Sequence, residues 1–259
     1  MIPKIIHYVW LSGSDKDETT ARCIASWKEV LPDYEIREWG STDIPTEQMP
    51  DWFREALQAR KYAFATDYLR LWIVYNFGGI YMDGDVLVRK SFDDFLDNEY
   101  FTAIEYHPKG FAPYKDRIDA DGNALTKEHV PGFALQAAVF GACKGHPFLK
   151  DCMSWYEGRH FVLEDGSYNI QMLACDVYAL TARDYGFRYI DREQRLLQGI
   201  RVYDSKTVAG TPDYESADNY CIHCCNGSWR NASAISKFKR KFLNTFIKPC
   251  RKLWRSLWD

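Results

Sequence analysis

The stretch Tyr62-Ala-Phe-Ala-Thr66-Asp67-Tyr-Leu-Arg70-Leu-Trp-Ile-Val-Tyr-Asn-Phe-Gly78-Gly79-Ile-Tyr81-Met-Asp83-Gly-Asp85-Val-Leu-Val88 decides how the chain is read. Its large apolar residues Phe64, Tyr68, Leu71, Trp72 and Tyr75 recur at helical spacing without a proline, which predicts an amphipathic helix from Arg60 to Phe77. Gly78-Gly79 supplies a helix stop. Ile80, Met82, Val86 and Val88 then flank Asp83 and Asp85, so the two acids are expected to end a buried strand rather than decorate a loop. Asp67 and Arg70 are three apart, share a helix face and can pair. On open surface that pair would contribute only about a few tenths of a kcal/mol. Here the face also carries Ala63 beside aromatics, so partial burial and an organised site are expected.

Asp-x-Asp is often no more than a solvated turn. At the carboxyl end of a strand in an α/β sheet, however, it lies where ligands collect. Hard carboxylate oxygens suit Mg²⁺ or Mn²⁺, with substrate phosphates completing the shell, and Gly84 leaves room for close approach.

Taken together, Ala63-x-x-x-Asp67-x-x-Arg70…Gly78-Gly79-x-Tyr81-x-Asp83-x-Asp85 resembles the donor-site signature of glycosyltransferase family 32, which groups capsule and cell-wall sugar transferases with relatives in the large clostridial glucosylating toxins. The resemblance implies a GT-A fold, an α/β domain with a central mixed sheet flanked by helices. It implies a nucleotide-sugar donor and retention at the anomeric carbon. Asp67 and Arg70 would hold the donor sugar, Asp83 and Asp85 the metal, and Tyr62, Thr66 and Tyr81 would line the donor site.

Two further blocks agree. Ile2-Pro-Lys-Ile-Ile-His7-Tyr-Val9-Trp10 resembles the family's first strand, which implies backbone contacts near Val9 and base stacking on Trp10. Tyr220-Cys-Ile-His223-Cys224-Cys225-Asn226-Gly227-Ser228-Trp229 resembles the family's closing loop, in which Ser228 and Trp229 would cap the diphosphate. Many members carry two adjacent histidines where this chain has His223-Cys224. His223 is taken as the third metal ligand, with a purely structural histidine as the alternative. Gln136 stands near a position that is often Asn in the family and is assigned to a sugar hydroxyl.

A length of 259 residues suffices for one substantial α/β domain, assigned to 1–235. β-α-β patterning at the start, with strands at 2–10 and 34–39 around a helix ending near Leu31, suits a nucleotide site. A helix is expected over Asp51–Gln58, strands at 100–105 and 135–143, and helices at 147–158 and 168–182, with Tyr189–Ile190 a weak strand candidate. Residues 107–132, rich in Pro, Gly, Asp and Lys, read as an acceptor loop or lid. The eight cysteines follow no disulfide or zinc-ribbon spacing, and no secretory signal is read at Met1-Ile-Pro-Lys. Reduced thiols and a cytoplasmic location are therefore expected.

The net charge of −3 hides an asymmetry. Residues 237–258 carry Lys237, Lys239, Arg240, Lys241, Lys248, Arg251, Lys252 and Arg255 and no acid, interleaved with Phe, Leu and Trp. Such a tail, assigned to 236–259, suits an anionic membrane surface, and the enzyme would then be peripheral on the inner face of the cell membrane. The other reading docks the tail on the catalytic domain. Nucleic acid is excluded as a partner because the remaining body is acidic. The function expected is transfer of a hexose or N-acetylhexosamine from a nucleotide-sugar, UDP-linked before GDP-linked, to a glycan or lipid-linked glycan in surface-polysaccharide synthesis. The alternative is a catalytically silent nucleotide-sugar or glycan-binding subunit at the membrane.

Overall fold

The computed structural model describes residues 1–225. The Ser228 and Trp229 assignments, the boundary at 235/236 and the basic tail all lie outside the described residues. In chain order the described elements are β1 (Ile5–Val9), α1 (Glu18–Val30), β2 (Glu35–Trp39), α2 (Asp51–Gln58), α3 (Tyr62–Phe77), β3 (Gly79–Met82), β4 (Val86–Val88), β5 (Tyr100–Tyr106), α4 (Pro108–Phe111), β6 (Phe133–Leu135), β7 (Val139–Ala142), α5 (Pro147–Ser154), α6 (Ala174–Ala182), β8 (Gln194–Arg195), β9 (Ile200–Tyr203), β10 (Val208–Ala209) and β11 (Cys221–His223).

The main sheet has the order β2-β1-β3-β7-β5-β9-β8, with β6 paired to β5. β1 runs parallel to β2 and β3, β5 runs parallel to β9, and β7 is antiparallel to both β3 and β5. This is the mixed sheet flanked by helices expected of the GT-A type. A second sheet of three strands, β10-β11-β4, stands beside it. Along β3 the side chains alternate between two cores, as a period of two requires. Ile80 and Met82 join Ile6, Tyr8, Trp27 and Val86, whereas Tyr81 joins Leu69, Ile73, Phe140 and Tyr178.

Helix α3 departs from the amphipathic expectation. Phe64, Ala65, Tyr68, Leu69, Leu71, Ile73 and Val74 are buried, and so are Thr66 and Arg70. The helix is central, covered by α2 and α5 and by the sheet, so a nearly all-round apolar sequence is what its position demands. It ends where expected. Gly78 and Gly79 have φ of +68° and +101°, and a Cβ on Gly79 would come within 2.8 Å of the Ile5 carbonyl oxygen. No other residue fits there.

That turn is locked to β1 and β2 through His7, which is fully buried. The Trp39 indole N–H donates to His7 Nδ1 at 3.1 Å, which places the ring proton on Nε2, where it donates to the Gly78 carbonyl at 2.8 Å. A second proton on Nδ1 would face a donor. Burial accordingly lowers the His7 pKa to about 4 from the usual 6.5, although its bond to Gly78 pulls the other way.

Other differences from the sequence expectation have local causes. The 135–143 strand is interrupted at 136–138, where the Ala137 carbonyl accepts from Arg70. The 168–182 helix begins only at Ala174. The chain before it folds back on residues 161–162 instead, with Tyr168 bridged to Val162 and the Asn169 amide donating to the Phe161 carbonyl at 2.8 Å. Tyr189 donates its amide to Gly122 rather than to a strand. Residues 107–132 contain α4 and a 3₁₀ turn at Ala112–Arg117, and are tied to the body through Arg183 and the Glu128 and Thr126 carbonyls. Among the described residues no helix is long and apolar enough to cross a membrane.

The His7 arrangement sets a pH dependence. The unfolded chain takes up the His7 proton near pH 6.5, whereas the folded chain resists until about pH 4. Between these values the unfolded state binds more protons, so acid favours unfolding, by up to about 3 kcal/mol once both pKa values are passed. Urea titrations of wild type and His7→Gln from pH 7 to pH 4 should show the wild type losing stability relative to the variant through this window. A constant difference between them would contradict the assignment.

Candidate metal and donor site

The Asp83-Gly84-Asp85 turn is the seam between the two sheets. Asp83 belongs to the main sheet: its amide donates to the Ala138 carbonyl at 2.9 Å, one step beyond the β3–β7 ladder. Asp85 belongs to the small sheet: its carbonyl accepts from the Cys224 amide at 2.9 Å, one step beyond the β4–β11 ladder. In that ladder His223 stands opposite Val86, which brings its Nε2 to 3.4 Å from Asp85 Oδ1. A slip of one residue would send the imidazole to the other face. Helix α1 holds β4 in place, with the Trp27 indole donating to the Val86 carbonyl at 2.6 Å and Ser26 Oγ accepting from the Val88 amide.

One ligand atom from each of Asp83, Asp85 and His223 lies within 4.8 Å of the other two, and all three residues are half-buried. Burial alone would lower the His223 pKa, but its contacts with Asp85 and Cys225 raise it well above the ordinary imidazole value. The position therefore favours positive charge. Two carboxylates and one imidazole form a donor set that fits Mn²⁺ or Mg²⁺, with the nitrogen ligand leaning toward the former.

Asp83 is aimed by buried neighbours. The Tyr81 hydroxyl donates to Asp83 Oδ1 at 2.6 Å, and Arg70 Nη1 lies 3.5 Å from the same oxygen. Burial keeps the Tyr81 phenol protonated, so it is the donor in that bond. Arg70 lies over the Tyr81 ring at 4.9 Å and donates to Asp67 Oδ1 (3.1 Å), to the Ala137 carbonyl (2.7 Å) and to the Thr66 carbonyl (3.2 Å). Burial opposes the Arg70 charge, but Asp83, Tyr81 and Asp67 outweigh it and the guanidinium stays ionised. Burial also raises the Asp67 carboxyl to about 7, against the pull of Arg70.

Arg70 and Tyr81, expected to hold the donor sugar and to line the donor site, are both buried, and both also reach the Asp83 carboxylate. The expected pairing of Asp67 with Arg70 is present, with side chains only 13% and 7% exposed.

The remaining candidates fall around the seam. Trp10 is half-buried at the end of β1 and borders Gly84, where a Cβ would meet the indole at an ordinary 3.8 Å and Thr20 Cγ2 more tightly at 3.3 Å. The Trp10 amide follows Val9 in the β1–β2 ladder and donates to Trp39. Lys16, which carried no assignment, sits over the Trp10 ring at 5.4 Å and pairs with Glu38. Thr66 donates its hydroxyl to the Tyr62 carbonyl one turn back, and Tyr62 opens α3 half-buried. Gln136 is fully buried, yet neither its Oε1 nor its Nε2 has a partner among the described residues. A buried amide without a hydrogen-bond partner is rare.

Residues 17–102 match the family model described as a glycosyltransferase sugar-binding region containing the DXD motif. The chain is 29% identical over 160 residues to inositol phosphoceramide mannosyltransferase 3 of Schizosaccharomyces pombe, across 57% of this chain and 35% of the relative. It thus spans about a third of that relative's length. Solved structures similar to it include the PaToxG glycosyltransferase (17% identity, TM-score 0.46, 71% of this chain and 69% of that one). Another is the galactosyltransferase LgtC in complex with donor and acceptor sugar analogues (16% identity, TM-score 0.44, 91% and 94%). The family resemblance read from the sequence falls on the region that this family model matches.

Removing one partner from the buried cluster should be costly. Arg70→Met leaves Asp67 buried without its cation and the Ala137 carbonyl without a donor, which should destabilise the fold by about 3–5 kcal/mol. Asp85→Ala, at the half-buried rim, should cost far less. Urea unfolding of both variants checks this, and equal midpoints would contradict the division into a supporting and a ligating residue.

Proposed function

We propose that the protein is a metal-dependent glycosyltransferase. It moves a hexose or N-acetylhexosamine from a nucleotide-sugar, UDP-linked before GDP-linked, to a glycan or lipid-linked glycan with retention, in surface-polysaccharide synthesis. The observation that carries this reading is the meeting of Asp83, Asp85 and His223 at the seam of two sheets, with the two aspartates inside the matched sugar-binding region. The name of the yeast relative, a mannosyltransferase acting on inositol phosphoceramide, supports a hexose donor and an acceptor attached to lipid. The basic tail at 236–259 would then keep the enzyme peripheral on the inner face of the membrane, beside such an acceptor.

Asp85 and His223 would hold Mn²⁺ or Mg²⁺ from the small sheet and Asp83 from the main sheet. The bound ion supplies a Lewis acid that neutralises the departing diphosphate. Tyr81 and Arg70 keep the Asp83 carboxylate pointed at that position before the donor arrives, so little reorganisation remains for the reaction itself. The Trp10 face offers an apolar plate for the base. Gln136 can both donate to and accept from a sugar hydroxyl, and the half-buried Asp67 of α3 can accept one. Ser228 and Trp229 would close over the diphosphate and exclude water. Attack from the same face as the leaving group needs no carboxylate nucleophile.

Calorimetry with UDP and GDP, each with and without Mn²⁺, tests the reading. UDP should bind in a Mn²⁺-dependent manner, and the dependence should vanish in Asp85→Ala. That variant should also lose about 10²- to 10³-fold in kcat for sugar transfer. Binding of neither nucleotide by folded protein would sink the transferase reading, and hydrolysis without transfer would replace it with a hydrolase.

A further inference from the structure

The described cysteines are free, and two that lie 201 positions apart in sequence meet beside the metal ligands: Cys23 Sγ and Cys224 Sγ are 3.9 Å apart. Cys23 is buried on α1, the helix that holds β4 through Ser26 and Trp27. Cys224 is half-exposed, follows His223 directly, and donates its amide to the Asp85 carbonyl. The next residue, Cys225, is exposed and adopts a φ of +50°. Two sulfurs at this separation need to close by about 2 Å to reach an S–S bond of about 2.05 Å. The movement falls on the residue next to His223 and opposite Asp85.

We propose that Cys23 and Cys224 form a reversible disulfide that straps β11 to α1 and withdraws the His223–Asp85 edge of the metal site. The oxidant is a small-molecule disulfide of the glutathione class. The half-exposed Cys224 thiolate attacks one sulfur of that disulfide, forming a mixed disulfide and releasing one thiolate. The buried Cys23 thiolate then attacks the Cys224 sulfur and displaces the second thiol. Two protein thiols are oxidised, one disulfide is reduced to two small thiols, and each released thiolate takes up the proton that a cysteine gives up. Excess thiol reverses both steps.

Formation of the bond stands on the sulfur geometry alone. Its effect on the metal rests on the reading of Asp83, Asp85 and His223 as ligands, and the experiment separates the two. Full-length protein is treated with oxidised glutathione, digested without reduction and mapped by mass spectrometry, while Mn²⁺ affinity is measured by electron paramagnetic resonance before and after. A Cys23–Cys224 peptide is expected, absent in Cys23→Ala and present in Cys225→Ser. Mn²⁺ affinity should fall by about tenfold or more, as when support of a metal ligand is lost, and return with dithiothreitol. Cys23→Ala should keep its Mn²⁺ affinity under oxidant. Glutathione found only on Cys225, or a Cys23–Cys224 cross-link that leaves Mn²⁺ affinity unchanged, would overturn the proposal. A reduced wild type that takes up no Mn²⁺ would instead defeat the metal assignment, and with it the effect claimed for the disulfide.

Discussion

The arrangement depends on one buried cation. The buried Arg70 guanidinium joins the backbone of α3, the interrupted segment 136–138 and the Asp83 carboxylate. Burying a charge in this way is costly unless every partner is in place, and removing any one of them leaves the others uncompensated. The cluster thus behaves as a unit. It explains why a helix that is otherwise apolar on all sides carries Asp67 and Arg70 in its middle, and why the expected strand at 135–143 breaks to present the Ala137 carbonyl. The local departures from regular structure are what satisfy the cation.

With Asp83 fixed from one side, the site is completed from the other. Asp83 takes its backbone partner from the main sheet and Asp85 takes its own from the small one, with Gly84 as the hinge between. The two carboxylates are therefore set by independent ladders rather than by a flexible loop. The cross-strand register that places His223 opposite Val86 settles which residue of the His223-Cys224 pair faces Asp85. It also sends Cys224 toward α1, where Cys23 waits. Metal ligation and thiol chemistry are neighbours because adjacent residues at the end of β11 face opposite ways.

Much of this was legible in the sequence, and the parts that were not share a cause. Helix α2 falls on the expected Asp51–Gln58, and α3 ends at the expected glycines, because local spacing and stop signals determine both. The Asp67–Arg70 pair follows from helical geometry. What local pattern could not supply was the depth of α3, since all-round burial depends on α2, α5 and the sheet arriving from distant sequence. That depth also brings Arg70 and Tyr81 onto the Asp83 carboxylate, which helical spacing alone does not show. The split of the acids between two sheets required β11, more than a hundred residues downstream. The loss of helix before Ala174 reflects the pairing of Tyr168 with Val162 and of Asn169 with Phe161, which the spacing of apolar residues over 168–182 does not carry.

The central claim is that Asp83 and Asp85, held from separate sheets, and His223 converge on one divalent ion. Crystals of the reduced protein grown with Mn²⁺ and UDP, with diffraction recorded near the manganese absorption edge, address it directly. A single anomalous peak bonded to Asp85, Asp83 and His223, with the diphosphate on its open side, is the expected result. A peak that leaves out both aspartates, or bound UDP without any manganese at the seam, would contradict the account.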